Sequence, residues 1–294
     1  MNLLFLVNPV SGRGRAALRA NRAIAFAHSQ VHQTTTVSDS SLSAALASAR
    51  EHLSNQRFDA LIVSGGDGSV HDALKLASEF QVPFSVISSG TGNDFARVTG
   101  VHKLSPEDLM ALVFATKPQS YDLGLIRHKG GEEVFIQVLS TGFDSVVNAR
   151  ANSYKVLSGK FKYVVATVRE IFPFRARAFD FTIDGVKFHR EAMLLAVANG
   201  PNYGGGMMVV PHAIGQDGKL DLLLLNKVSK LEFLRVFPKV FSGKHVNHPA
   251  VEFFSGREIS ISASVVAYAD GEYISDLPIS ISVLPGEIST WIKR

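Results

Sequence analysis

The chain has 294 residues, 46% hydrophobic and 19% charged, with a formal net charge of +4 and no cysteine. That length buries one large core or two ordinary ones, and the apolar fraction with so small a net charge excludes a disordered chain. The absence of cysteine excludes a disulfide scaffold, thiol redox chemistry and zinc–thiolate sites. No run approaches the ~18 apolar residues of a membrane-spanning helix. The opening Met1–Val7 has no basic segment before it and stops at Asn8-Pro9, so it is not a signal peptide. A cytoplasmic protein is expected.

Leu3–Val7 is an unbroken apolar run, as in a strand covered on both faces. Leu42, Ala45, Leu46, Ala49 and Leu53 fall on one face of a helix. Phe58–Val63 predicts a second strand, ending in Ser64-Gly65-Gly66-Asp67-Gly68. Val70, Ala73, Leu74 and Ala77 then restart helical spacing. Pro83–Ile87 predicts a third strand, running into the Gly-rich stretch from Ser88 to Asn93. Strand, loop and helix repeated in this way predict an α/β domain with a parallel sheet over residues 1–122.

After Tyr121 the period changes to two. Phe179, Phe181 and Ile183 alternate with polar residues, as do Ile259 and Ile261, and Ile279, Ile281 and Val283. Asp184-Gly185, Asp217-Gly218 and Asp270-Gly271 read as turns. Two helical inserts are expected near 153–171 and 229–242. Residues 123–294 therefore predict a second, antiparallel domain, a sandwich or a barrel.

Three loops carry the chemical signal. Gly65, Gly66, Asp67, Gly68 and Ser69 lie between a strand and a helix, where glycines admit phosphate oxygens and the helix presents its N-terminal N–H groups. Asp67 beside phosphates needs a cation to bridge the repulsion, or else it caps a helix. Ser89-Gly90-Thr91-Gly92-Asn93-Asp94-Phe95-Ala96-Arg97 follows the next strand, and Asn8-Pro9-Val10-Ser11-Gly12 follows the first. Loops at the carboxyl ends of parallel strands line one crevice, so the three together predict a nucleotide site. No Gly-x-x-x-x-Gly-Lys-Ser/Thr pattern occurs. In the second half, Asn199–Gly206 is a Gly-rich segment. Asp217 sits in a turn that either holds a hard cation or is an ordinary Asp-Gly turn. Asp270-Gly271-Glu272 either supplies a general base or is a plain hairpin turn.

The ordered set resembles the diacylglycerol kinase / sphingosine kinase family of lipid kinases in its soluble bacterial form. It runs from Asn8-Pro9-Val10-Ser11-Gly12 through Gly65–Ser69 and Gly90–Arg97 to Asp122-Leu123-Gly124 and Gly142-Phe143-Asp144. It ends with Asn199–Gly206, Asp217–Asp221 and Asp270–Glu272. The resemblance implies a three-layer α/β domain and a β-sandwich with the active site in the cleft between them, ATP and Mg²⁺ as cofactors, and phosphorylation of a lipid hydroxyl. It places ATP on Asn8, Pro9, Ser11, Gly12, Thr36, Gly65–Ser69, Asp72, Thr91, Gly92, Asn93 and Asp94. It places the base at Glu272, with Asp67, Asp94 and Asp122 organising Mg²⁺, and a structural Mg²⁺ on Asp217, Ile214 and Lys219. Ser69 replaces the usual Thr, Asp72 the usual Glu, and Gln216 the usual Asn or Asp.

The implied partners are a lipid substrate such as diacylglycerol, phosphatidylglycerol or a sphingoid lipid, and a reversible contact at the inner face of the membrane. No nucleic acid is expected, and a homodimer stays open. An NAD kinase, which shares the Gly-Gly-Asp-Gly loop, and a non-catalytic nucleotide-binding membrane-docking module are the alternatives. Val156, Leu157, Phe161, Tyr163, Val164, Phe172, Phe174 and Phe179 are candidates for an acyl site or for core. Lys155, Lys160, Lys162, Arg169, Arg175 and Arg177 among these aromatics form a candidate membrane patch, or a solvated face.

Overall fold

The computed structural model describes residues 1–39, 41–154 and 160–293, with the side chains of all of these except 160–163. The chain forms two compact units, Met1–Tyr121 with Gly286–Arg294, and Asp122–Pro285.

In the first unit, β1 (Asn2–Val7), α1 (Arg15–Ser29), β2 (Gln33–Ser38), α2 (Leu42–Asn55), β3 (Ala60–Gly65), α3 (Asp67–Glu79), β4 (Phe84–Ser88), α4 (Asp94–Val98) and α5 (Pro106–Ala115) follow in order. The strands are parallel in the order β4-β3-β1-β2. Leu3–Val7 and Ala60–Gly65 are buried throughout, because α1, with α5 packed against it, covers one face and α2 and α3 the other. Ala16, Ala20, Ala23 and Ala27 form the buried stripe of α1 and let it lie close on the sheet. Ser41 and Ser105 accept the Ala44 and Asp108 N–H groups and so start α2 and α5. β3 begins at Ala60, two residues later than its apolar run. β2 was not expected. Of its residues only Val37 is buried, so an edge strand of this polarity has no alternation to detect.

The chain passes to the second unit through β5 (Gln119–His128). It continues with β6 (Gly131–Phe135), β7 (Val138–Gly142), α6 (Phe143–Ser153), α7 (Lys160–Ile171), β8 (Arg177–Ile183), β9 (Val186–Ala198), the short β10 (Asn202–Tyr203) and β11 (Met207–Met208), β12 (Leu220–Asn226) and α8 (Lys230–Val236). Two 3-10 turns, Phe237–Ser242 and Lys244–Asn247, precede β13 (Val251–Gly256), β14 (Glu258–Ser262), β15 (Val266–Ala269), β16 (Glu272–Asp276) and β17 (Ile279–Thr290). The result is an antiparallel β-sandwich. One layer runs β16-β15-β7-β9-β12-β13, the other β9-β8-β14-β17-β5-β6, and the long β9 pairs in both. Phe179, Phe181, Leu195, Leu222, Ile259 and Ile281 meet between the layers. Asp184 and Gly185, both at positive φ, close the β8–β9 hairpin as expected from their sequence.

A second core lies on the outer face of the β7-β9-β12 layer. There Phe143, Val147, Ala151, Ile171, Phe174 and Phe233 bring α6, α7 and α8 onto the sheet. α6 was not expected, although Phe143, Val147 and Ala151 recur at i, i+4 and i+8. The final segment belongs with the first unit: Thr290 pairs with Phe84, and the buried Trp291 donates Nε1–H to the Thr116 carbonyl at 3.1 Å. No helix among the described residues is long and apolar enough to cross a membrane.

Candidate functional site

In the first unit the loops after β1, β3 and β4 meet at the carboxyl edge of the sheet. The Asn8 N–H donates to the Ser64 carbonyl at 3.0 Å, and the Ser89 N–H to the Gly65 carbonyl at 2.9 Å. Asn8 Nδ2 donates to Ser69 Oγ at 3.1 Å, so the hydroxyl at position 69 fastens the first loop to the start of α3. The glycines are demanded by contact. A Cβ on Gly90 would lie 2.8 Å from Gly66 Cα, and one on Gly12 would lie 2.1 Å from the Ser89 carbonyl oxygen. Two polypeptide backbones therefore come together where Gly66 meets Gly90, and no side chain fits on Gly90. The N-terminus of α3 opens on this edge, with Gly66 as its cap and Asp67 as its first residue.

Asp67, the first residue of α3, reaches across to the next helix. Its Oδ2 accepts the Asn93 N–H at 2.9 Å and its Oδ1 the Asp94 N–H at 2.8 Å, so the carboxylate caps the next helix, α4. Asn93, at φ 54°, folds its amide back on Gly90: Oδ1 accepts the Gly90 N–H and Nδ2 donates to the Gly90 carbonyl, both at 3.0 Å. Arg97 Nε donates to the Gly92 carbonyl at 2.9 Å. A Cβ on Gly92 would lie 2.3 Å from Asp67 Oδ2 and 3.6 Å from Asp94 Oδ2, so both carboxylates come up to the same bare backbone. The stretch from Gly90 to Asp94 is thus held at both ends, with Thr91 exposed at its crest.

The structure brings Asn8, Pro9, Ser11, Gly12, Gly65–Ser69 and Gly90–Asp94 to one edge. Asp72 lies half-buried one turn into α3, and Thr36 is exposed within the edge strand β2, opposite Phe5 in register.

In the second unit Asp122 is buried and tied to the turn at 214–219. Its N–H donates to the Gly215 carbonyl at 2.8 Å, and its Oδ2 accepts the Gly218 N–H at 2.7 Å. Asn199 Nδ2 bridges the carbonyls of Asp122 and Ile136 at 2.8 and 2.9 Å. The Ile214 carbonyl accepts the Gln216 N–H at 2.8 Å, and Asp217 Oδ1 accepts the Lys219 N–H at 3.0 Å. Carboxylate and carbonyl oxygens are the donors a hard cation takes, and here they also close their own turn. Asp221, just beyond, is half-buried, and desolvation pushes its carboxyl up despite the neighbouring His212. No group of three His, Cys, Asp or Glu side chains gathers as a metal-ligand set among the described residues.

Asp270 is a structural carboxylate. It sits at φ 50° and accepts the N–H groups of Ile136, Gln137 and Val138 at 2.8, 3.0 and 3.1 Å, clamping the β15–β16 turn to the start of β7. Glu272 begins β16 two residues later, opposite Ala269, with its side chain exposed. Of the pair in Asp270-Gly271-Glu272, Asp270 is engaged by backbone N–H groups and Glu272 is exposed.

An apolar cavity lies within the second unit, between α6, α7, α8 and the β7-β9-β12 layer. It encloses about 840 Å³ of atom-free space, part of it open to solvent. Val147, Leu194, Leu223, Phe233, Val236 and Val240 line it, and Asp144, Thr167, Tyr203, Glu232 and His248 supply its polar points. Burial pushes the Asp144 carboxyl up, opposed by the polar groups of Ser140, Tyr203 and Asn148 beside it. The residues weighed as acyl site or core divide. Val164 and Phe172 face solvent, Phe174 and Phe179 are core, and Val156, Leu157 and the side chains of Phe161 and Tyr163 lie outside the described residues. The signal for the cavity wall was present at Phe233, Val236, Phe237 and Val240, spaced i, i+3, i+4 and i+7.

Comparison with known proteins gives matches to both halves. Residues 2–126 match the family described as the diacylglycerol kinase catalytic domain, and residues 137–291 the YegS C-terminal NAD kinase beta sandwich-like domain. The diacylglycerol kinase of Mycobacterium tuberculosis is 33% identical, the alignment covering 98% of this chain and 94% of that protein. The diacylglycerol kinase of Bacillus subtilis is 27% identical, over 93% and 90% of the two chains. A crystal structure of a diacylglycerol kinase from Bacillus anthracis shares the fold, with a TM-score of 0.72 at 20% identity, covering 99% of this chain and 96% of that one.

Proposed function

The chain belongs to the diacylglycerol kinase family of lipid kinases, and from that premise we propose that it transfers the γ-phosphoryl group of ATP to a lipid hydroxyl. The observation that carries this is the edge where Gly12, Gly66 and Gly90 pack backbone to backbone. It brings bare backbone of three loops beside the N-terminus of α3, and this reading takes that edge as the binding surface. Such a surface recognises an anion without a Walker lysine. In this reading Asn8 to Gly12, Gly65 to Ser69, Asp72 and Thr91 to Asp94 hold Mg·ATP, with Thr36 as an outlying contact.

Phosphoryl transfer asks mainly for positioning and for neutralised charge. Asp67 positions: it keeps the Gly90–Asp94 loop against α3. Glu272 takes the proton of the lipid hydroxyl as its oxygen bonds to the γ-phosphorus, and ADP leaves. Asp122 holds the 214–219 turn in place. That turn would hold a structural Mg²⁺ on the Asp217 carboxylate and the carbonyls of Ile214 and Lys219, where the ion would offset carboxylate charge. The apolar cavity beside Asp144 takes the lipid's chain.

The test is incubation of the protein and γ-labelled ATP with diacylglycerol, phosphatidylglycerol, a sphingoid base or NAD. Label extracted into the organic phase with one of the lipids supports the reading. Label on NAD alone, or on none of the four, overturns it.

A further inference from the structure

We propose that the outward face of α7, α8 and the 3-10 turn after α8 is a docking surface for an anionic membrane. Val164 and Val168 on α7 and Phe172 just after it stand at i, i+4 and i+8 with relative exposures of 39%, 48% and 64%. They form an apolar stripe on the side of the helix away from its buried residues Ala166, Thr167, Glu170 and Ile171. α8 repeats the arrangement. Its Phe233 and Val236 line the cavity, while Leu231, 68% exposed, faces out with Arg235 and Lys239, and Phe241 follows at 36%. Lys230 Nζ donates to the carbonyls of Ile171 and Phe174, so the two helices are joined where Phe172 and Leu231 are exposed.

The charge on this face selects the occupant. Residues 164–177 and 230–244 carry seven basic side chains and two acidic ones, in a chain whose whole net charge is +4. Of the two acids, Glu170 is paired with Arg150 and Glu232 with His248. The cationic excess is left to Arg169, Arg175, Arg177, Arg235, Lys239 and Lys244. Apolar side chains entering the interface with cations around them fit a surface of anionic lipid. A second copy fits poorly, because an isologous contact would set these like charges against one another. Of the residues expected to form such a patch, Phe174 is removed because it packs on Phe143, and Lys155 and the side chains of Lys160 and Lys162 lie outside the described residues. Leu231, Arg235, Lys239 and Phe241 are added. The surface gains a purpose from the proposed kinase reading, since α8 also walls the cavity, but its existence is measured without any turnover.

The experiment is sedimentation of the full chain with vesicles of phosphatidylcholine alone, or of phosphatidylcholine with phosphatidylglycerol, at low and high salt. Three variants accompany the wild type: Phe172→Ser/Leu231→Ser, Arg235→Ser/Lys239→Ser, and Val186→Ser/Lys187→Ser as an exposed apolar-basic control on the β8–β9 hairpin. Unchanged circular dichroism melts show that the variants fold. The wild type binds more with phosphatidylglycerol and less with salt. The charge variant loses roughly 10- to 30-fold in partition coefficient, about fivefold for each cation near such a surface. The apolar variant loses a comparable factor and the control none. Equal binding to both vesicle types, or equal loss in the control, overturns the proposal. So does a wild-type dimer that Phe172→Ser/Leu231→Ser converts to monomer, since a second copy would then own the face. If vesicle binding behaves as stated and no lipid accepts phosphate, the kinase reading fails and the docking surface stands.

Discussion

Replacing Asp67 by alanine separates two roles that a carboxylate in a phosphate loop can have. In the structure it accepts the Asn93 and Asp94 N–H groups at 2.9 and 2.8 Å and caps α4 from across the loop. Hydrogen bonds to a charged acceptor contribute about 1.5–3 kcal/mol each when buried. Asp67 is half-buried, so water replaces part of what is lost, and a destabilisation of about 2–4 kcal/mol is expected. For a unit of this size that lowers Tm by about 6–12 °C. Asp67→Asn retains one oxygen acceptor but sets an N–H₂ against the second N–H, so its loss falls between wild type and alanine. The assay is a thermal melt without nucleotide, followed by kinetics over a range of ATP. The clamp predicts a lower Tm in the absence of ATP and a raised KM for ATP, because the freed Gly90–Asp94 loop no longer presents a fixed surface. An unchanged melt with kcat abolished at unchanged KM would refute the reasoning and return Asp67 to a purely metal-organising role.

Asp270→Ala leaves the N–H groups of Ile136, Gln137 and Val138 without their acceptor and lowers unfolding free energy by about 3 kcal/mol in denaturant titration; an effect below about 0.5 kcal/mol would mean that water substitutes fully. Asp144→Asn is more stable than wild type at neutral pH. The wild-type carboxyl has a raised folded pKa, so its folded state is penalised as pH rises from the unfolded value through the folded one. Melts from pH 4 to 8 should show the gap between variant and wild type closing on the acid side; a gap that widens there contradicts the assigned cause. Mg²⁺ at a tenfold excess over its Kd raises the stability of wild type by about 1.4 kcal/mol, and leaves Asp217→Ala unmoved, if the turn at 214–219 holds the ion. Equal shifts in both proteins would place any bound Mg²⁺ elsewhere.

Much of this architecture was legible in the sequence, for identifiable reasons. β1 and β3 announced themselves because both faces of the parallel sheet are covered, so Leu3–Val7 and Ala60–Val63 had to be continuously apolar. The loop after β4 announced itself because a Cβ on Gly90 would lie 2.8 Å from Gly66 Cα, so only glycine fits there. β2 was hidden because water covers most of it. α6 was hidden because Phe143-Asp144-Ser145-Val146-Val147 begins with β-branched and polar residues, and what makes it a helix is the sheet that Phe143 and Val147 bury. The change of period near Tyr121 coincides with the passage between units. The return of Gly286–Arg294 to the first unit was not expected, although Pro285-Gly286 breaks the alternation of Ile279–Val283 and Gly286 sits at positive φ. Asp67 and Asp270 show the limit most clearly. A sequence shows that a carboxylate is present at a turn, but not which distant N–H groups it faces, and in both cases those groups lie on a different loop.

The central claim, that this chain moves phosphate from ATP to a lipid hydroxyl, is tested most directly by product analysis of a single reaction. Wild type and Glu272→Gln are incubated with Mg·ATP and a total lipid extract, and phosphorylated lipid and ADP are quantified together by mass spectrometry. The account predicts one phosphorylated lipid per ADP with the wild type. With Glu272→Gln it predicts a rate lower by about 10²–10⁴-fold at an unchanged ratio, the contribution expected of a general base. ADP formed without any phosphorylated lipid, or an undiminished rate in the variant, would contradict it.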